Sequence, residues 1–227
     1  MINTIVALGV IIFGIIVFVR TNREVIIRTN SAIQNPVYYE NGQCSQYFHP
    51  HDSKFITTHT FINSTKLFHP PLHFHSYQDE SFYIDDGTAE FFMSEDGSVP
   101  SLNNSITKNT GEEMFVPAGA YHRFESKGEK LSISFYLSPK DRVVEERFFR
   151  NFFGYLDDCL KAQVEPSIFQ LLRFLYDVGS PLAVPMPHIL GPSVGRAVSR
   201  FICWFGGLVI GEYGLGYQES YDSYYKI

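Results

Sequence analysis

Between Phe55 and Leu137 the chain is a series of short runs of Phe, Ile, Thr, Tyr and Val, each cut off by Gly, Pro, Asn or Asp. The breaks recur about every 8–12 residues, too closely for helices, and predict an all-β barrel or sandwich. Leu131-Ser-Ile-Ser-Phe-Tyr-Leu137 shows the strand period directly. Leu131, Ile133, Phe135 and Leu137 share one face, and Ser132, Ser134 and Tyr136 share the other. After Pro139 the period becomes helical: Val143, Val144, Phe148, Phe149, Phe152, Phe153, Leu156 and Leu160 form one wide apolar stripe. A second helix is expected from Pro166 to Val178, then a Pro-rich extended stretch from Gly179 to Pro192. Ser193 caps a third helix that carries Phe201 to Gly211, a segment too short by itself to span a bilayer. Residues 29–50, with Pro36 and Pro50, read as an ordered loop or linker.

Composition narrows the function classes. The chain is 44% hydrophobic and 16% aromatic, ample for a core, so global disorder is excluded. A formal net charge of -6 argues against nucleic-acid binding, which rests on Lys and Arg neutralising phosphates. Three widely spaced cysteines, Cys44, Cys159 and Cys203, form neither a disulfide framework nor a Cys-based zinc site. The acid is concentrated in residues 61–137, with eleven carboxylates against five cations.

The N-terminus is different in kind. Ile5 to Val19 is unbroken apolar residue or Gly, and extending back to Ile2 gives 18 residues. As a helix that is about 27 Å long at ~1.5 Å per residue, close to the hydrocarbon thickness of a bilayer. No basic residue precedes it, and Arg20-Thr-Asn-Arg23 makes a poor cleavage site, so an uncleaved membrane anchor is the expectation. Arg20, Arg23 and Arg28 all follow the run, which places the rest of the chain on the cytoplasmic side.

Chemistry concentrates in two segments. In Pro70-Pro-Leu-His73-Phe-His75 the two histidines are two residues apart, so on a strand both imidazoles face the same way. Glu80 follows His75 by five residues, and a turn or bulge within Ser76–Asp79 would return it to that face. Two His and one carboxylate on one side of an ion, with open positions opposite, suit Fe(II) and related first-row metals. In the second segment, Gly111-Glu-Glu-Met-Phe-Val-Pro117-Ala-Gly119-Ala-Tyr-His122, a Pro-x-Gly turn delivers a third imidazole. The alternative for the first pair alone is two surface histidines on a polar strand. His49 and His51 repeat the spacing around Pro50 and read as loop; His59, His69 and His188 are isolated and read as structural or exposed.

These two segments resemble the paired motifs of the cupin superfamily, small jelly-roll β-barrels. His73, His75, Glu80 and Gly87 fit the first motif, although Leu67 stands where a leading Gly is expected. Gly111, Pro117, Gly119 and His122 fit the second, although Ser126 replaces its closing Asn. The resemblance implies a mainly β architecture: an anchor helix and basic flank over 1–28, a single barrel over 40–138, and a helical extension with a Tyr-rich tail over 139–227. It implies one divalent metal held by His73, His75, Glu80 and His122, with Fe(II) or Mn(II) ahead of Zn(II) or Ni(II). Tyr77 and Tyr121 become candidates for proton transfer. By parity with the ligands, Phe82, Ile84 and Phe124 would form an apolar wall; the Ser132, Ser134 and Tyr136 face would either line the pocket with hydroxyls or face water. Core packing explains the apolar residues equally well.

The resemblance says less about the reaction, because this fold carries many chemistries. One reading is an oxidoreductase or oxygenase acting on a small hydrophobic molecule of specialised metabolism. The others are a non-redox isomerase or dehydratase, and a non-catalytic binding protein with a structural metal. The expected partners are a small hydrophobic molecule and, through residues 2–19, a membrane. The Phe148–Phe153 stripe must also be covered, by the barrel's outer face, a helical subdomain, the membrane or a second copy in a homodimer. Helices packed on the outer face, leaving the metal mouth open, are the expectation.

Overall fold

Two long strands organise the fold: β4, Asp79–Ser94, and β7, Tyr121–Ser138, which pair antiparallel along almost their whole length. The computed structural model describes Gly14 and residues 26–94, 105–184 and 191–226; the expected anchor over residues 2–19 lies outside the described residues, Gly14 apart. Around the central pair lie β1 (Val37–Tyr39), β2 (Cys44–Phe48), β3 (Thr57–Ile62), β5 (Ser105–Asn109) and β6 (Glu113–Val116). All seven form one antiparallel sheet in the order β1-β2-β3-β7-β4-β5, with β6 on β4 beside Glu80–Tyr83. The expected β architecture is present.

The sheet bends where its pairing slips. The β4–β7 register shifts between Ile84 and Asp86 and again between Gly87 and Ala89. Buried positions on β4 are even-numbered through Glu80, Phe82 and Ile84, then odd at Ala89 and Phe91. Inserting one residue into one strand of a ladder turns its side chains over in this way. Gly87 sits at the bend with φ of +89°, and a Cβ there would lie 2.2 Å from the Lys130 carbonyl oxygen. Only glycine permits that turn and that approach.

The 29–50 stretch is not a loop throughout, since β1 and β2 lie within it. Val37, Tyr39, Cys44, Gln46 and Phe48 are buried in strict alternation, a period-2 signal that Pro36 and Pro50 disguise.

Three helices follow the sheet. The first, α1 (Arg142–Ala162), is capped by the Asp141 carboxylate, which accepts from the Val144 amide at 3.2 Å. The second, α2, is Ile168–Asp177. The third, α3, runs as an α-helix from Gly191 to Cys203 and continues in wider π-helical turns from Trp204 to Gly214. Phe201–Gly211 is therefore not a short isolated segment. It belongs to a helix of 24 residues, the one helix among those described that is long and apolar enough to cross a bilayer.

Small residues explain how α3 packs. Gly195, Ser199, Cys203, Gly207 and Gly211 recur every fourth position and are all buried. A Cβ on Gly207 would stand 2.6 Å from the Leu172 carbonyl oxygen, and one on Gly211 would stand 2.8 Å from that of Phe169. The stripe lets the backbones of α3 and α2 touch, and turns the bulky side of α3 outward.

Candidate metal centre

The first histidine pair does not lie on a long strand. His73 bridges to His122 on one side and to Leu182 on the other, so a short extended segment is held between two neighbours. On one flank the His122 amide donates to the His73 carbonyl at 2.8 Å, and the Gly119 amide to that of His75 at 2.8 Å. On the other, the Ser76 amide donates to Gly179 at 2.9 Å and the Ala183 amide to Leu72 at 2.9 Å. The chain then bends at Ser76–Tyr77 and enters β4, which brings Glu80 back to the imidazoles. The Pro117–Gly119 turn forms as its sequence requires, with Gly119 at φ of +81° and the Ala120 amide on the Pro117 carbonyl at 3.1 Å.

His73, His75, Glu80 and His122 converge. Their candidate ligand atoms all lie within 4.8 Å of one another. Glu80 Oε2 is 3.1 Å from His75 Nε2 and 2.8 Å from His122 Nε2. Two donors held ~2.1 Å from one ion at right angles are about 3 Å apart, so these separations fit a shared first-row metal.

The far side of each ring supports the same conclusion. His73 Nδ1 lies 2.8 Å from the Pro71 carbonyl oxygen and His122 Nδ1 lies 3.0 Å from that of Ala120. His75 Nδ1 meets Ser180 Oγ at 2.8 Å, and that hydroxyl reaches on to the Val178 carbonyl. A carbonyl only accepts, so Nδ1 of His73 and of His122 carries the proton and Nε2 presents its lone pair to the centre. Such partners orient metal-binding imidazoles. The residues present fit a divalent ion.

Burial by itself would raise the Glu80 carboxyl, but His75 and then His122, when protonated on both ring nitrogens, hold it well below the usual carboxylate range. Burial pushes His73 well below an ordinary histidine, and the neighbouring His122 and His75 push it further.

The centre opens on a cavity of about 60 Å³ whose lining includes His73, His75, Glu80, Phe82, Phe124 and Phe135. Phe148, Phe149, Phe152 and Phe153 of α1 form the facing wall. This corrects the expected architecture: the aromatic stripe closes over the metal cavity instead of lying on the outer face of the sheet. Lining the cavity covers the four phenyl rings. Pro70, Pro71 and Phe152 are shared with a wider outer groove that also holds Lys66, Leu67 and Arg123.

Other candidates sit elsewhere. Ile84 is fully buried in the core beyond the cavity. Ser132, Ser134 and Tyr136 do not line it. On β7 it is Phe135 that faces inward, so its neighbours face out: Ser134 bonds Thr58 and Asp85, Ser132 bonds Thr60, and Tyr136 packs on Phe55. Tyr77 is 58% exposed, and Tyr121 alternates with His122, its ring against Phe74 at 5.0 Å. Neither tyrosine lines the cavity.

His59, which reads as isolated in sequence, lines it instead. It is buried among the rings of Phe135, Phe149 and Phe153, with Phe153 nearest at 4.8 Å. Gln46, its partner across the β2–β3 ladder, donates its side-chain amide to His59 Nε2 and accepts from the Tyr39 hydroxyl at 3.0 Å. Burial lowers the His59 pKa to about 3, so the ring is neutral at physiological pH. The only sequence signal for this role is strand parity, which puts His59 on the same face as Thr57 and Phe61.

An antiparallel sheet carrying three inward imidazoles and a carboxylate from two spaced motifs defines a protein of the cupin class, and the four side chains could hold a metal ion. No protein-family model matches the chain. It is 31% identical over 207 residues to the probable oxidoreductase virH of Hypocrea virens, covering 83% of this chain and 85% of that protein. It is 35% identical over 123 residues to the oxidoreductase iacF of Pestalotiopsis fici, covering 51% of this chain and 56% of that protein. Among solved structures, the cupin domain of Schizosaccharomyces pombe Cnp3 aligns with 43% of this chain and 66% of its own, at 14% identity and a TM-score of 0.31. The chain belongs to the family of oxidoreductases that includes virH.

Proposed function

We propose that this protein is a metal-dependent oxidoreductase acting on a small, largely apolar molecule. The observation that carries the reading is the opening of the His73, His75, Glu80 and His122 cluster onto a cavity walled by phenylalanine. Those four side chains would hold a first-row divalent ion, Fe(II) or Mn(II) in this reading, which would supply Lewis acidity and redox capacity there.

The protein's own residues do the rest. Phe82, Phe124, Phe135 and the four rings of α1 exclude water and contact an apolar body. His59, neutral and with Nε2 occupied by Gln46, keeps its other ring nitrogen for a polar atom of the substrate. Ser180 holds the His75 ring in orientation. The apolar run of residues 2–19 and its arginine flank support a membrane tether with the catalytic part on the cytoplasmic side. A tether suits a substrate that partitions into lipid.

Full-length protein stripped of metal and titrated with Fe(II), Mn(II), Zn(II) and Ni(II) tests the reading. One ion per chain is expected, and the Fe(II) or Mn(II) form should consume oxygen with members of a panel of apolar phenols, quinols and polyenes. Stoichiometric binding with no oxygen uptake and no substrate oxidation by any metal form would overturn it.

A further inference from the structure

The outward side of α3 gathers exposed aromatic side chains. Phe201 is 57% exposed, Trp204 and Phe205 are each 41% exposed, and Ile202 lies beside them. The three rings touch only loosely, with centroids 5.7–6.1 Å apart, and they form one contiguous apolar patch. The small-residue side of the same helix is spent on α2, so no rotation of α3 can bury these rings.

Charge supplies the second observation. From Gly191 to Gly214 the helix carries Arg196 and Arg200, and its single acid, Glu212, is paired with Arg173 on α2. Neither guanidinium meets a carboxylate among the described residues. Arg196 Nη1 donates to the Gly119 carbonyl at 3.3 Å and Arg200 Nε to Ser76 Oγ at 3.3 Å. Together with Ser76 and the Pro117–Ala120 turn they line an open, polar recess of about 470 Å³. At ~100° per residue Arg196, Arg200 and Phe201 fall within one ~140° sector, and Trp204 and Phe205, in the first of the wider turns, lie exposed against Phe201. Cations along one border and aromatics beside them match the order of a bilayer surface, phosphate outside and acyl chain within.

We propose that α3 is a docking helix for an anionic lipid surface. Arg196 and Arg200 take headgroup phosphates at the recess, and Phe201, Trp204 and Phe205 enter the headgroup–acyl boundary with the helix lying in the plane of the membrane. This contact is separate from any tether at residues 2–19 and from the metal chemistry. It adds a second attachment that fixes how the protein faces the bilayer.

Trp204 is the only tryptophan in the chain, so its emission reports this helix and no other segment. Full-length protein is mixed with vesicles of phosphatidylcholine alone or with phosphatidylserine, some carrying lipids brominated at shallow or at deep acyl positions. With anionic vesicles the emission should shift to the blue and be quenched most by shallow bromines. Arg196→Gln with Arg200→Gln should weaken the response roughly 25-fold, about fivefold for each cation. Phe201→Ser with Phe205→Ser should abolish it. Unaltered metal stoichiometry and far-UV circular dichroism identify variants that have kept their fold, and the depth profile of the wild type needs no variant at all.

Several results would overturn the proposal. Emission indifferent to anionic vesicles, or equally shifted by zwitterionic ones, removes the docking surface or its charge. Strongest quenching by the deep bromines makes α3 a membrane span. A shift produced by inorganic phosphate alone makes the recess a site for free anions. A shift that follows protein concentration without lipid makes the patch an interface between copies of the chain.

Discussion

Ser180 Oγ lies 2.8 Å from Nδ1 of His75, although 105 residues separate the two in the chain. A candidate metal ligand on the segment leading into β4 thus meets a hydroxyl from the segment that follows α2, so the helical part of the chain contributes to the surroundings of the cluster.

Ser180→Ala should leave the four ligands in place and lower metal affinity about 10–100-fold, the usual effect of losing the partner of a ligating imidazole. His75→Ala should abolish stoichiometric binding while thermal unfolding of the metal-free protein stays close to wild type. Competitive titration with a chromophoric chelator measures both. Equal affinities for Ser180→Ala and wild type would show that the contact orients nothing.

Phe152→Asp should destabilise the whole protein. Phe152 is 7% exposed and packs against Phe148, Phe153 and Phe174, so it joins the cavity wall to α2. Losing a buried phenyl costs about 3–5 kcal/mol before the desolvation of a new charge is added. Thermal melting decides the matter: an unchanged midpoint would detach α1 from the folded unit.

His59 gives the fold a pH dependence whose sign is fixed. Its folded pKa is about 3, below the ordinary 6.5, so the unfolded chain binds more protons between those values. Stability from this group is complete above pH 6.5 and is lost as pH falls toward 3, at up to about 1.4 kcal/mol per pH unit. Urea denaturation across that window should show a shallower slope for His59→Gln than for wild type. Parallel slopes would place the protonation elsewhere.

Gly87→Ala should cost about 2–4 kcal/mol. It forces a Cβ into the left-handed region and onto the Lys130 carbonyl, and both penalties apply together. Gly111→Ala shares the positive φ, +86°, but has open space around it, so it should cost less. Comparing the two by chemical denaturation separates the strain from the clash.

The ligand set was legible in the sequence because local geometry carries it. A two-residue spacing sets His73 beside His75, a five-residue interval requires the bend that the structure shows at Ser76–Tyr77, and Pro117 with Gly119 makes the turn before His122. Strand parity also placed Phe82 and Phe124 in the cavity wall. Parity does not say how far along a strand the cavity reaches, so Ile84 lies past its end. Nor does it say which of two faces turns inward, and on β7 Phe135, not the hydroxyl-bearing side, faces the cavity. The four phenylalanines of α1, Ser180 and His59 were illegible as site residues for a different reason. Each reaches the cavity through contacts distant in sequence, and no local pattern records what a helical stripe will cover.

The segment from Leu72 to Ser76 has a neighbour on each side, and the two are made at very different times during synthesis. One partner, residues 119–122, emerges soon after it, while the other, residues 179–183, follows more than a hundred residues later. Between the two partners lie about 60 residues, so at roughly 5–20 residues per second the nascent sheet waits about 3–12 s with that edge unpaired. An open edge is a template for a neighbouring chain on the same ribosome cluster. Production of this protein should therefore be limited less by the stability of its finished fold than by what meets that edge before translation ends.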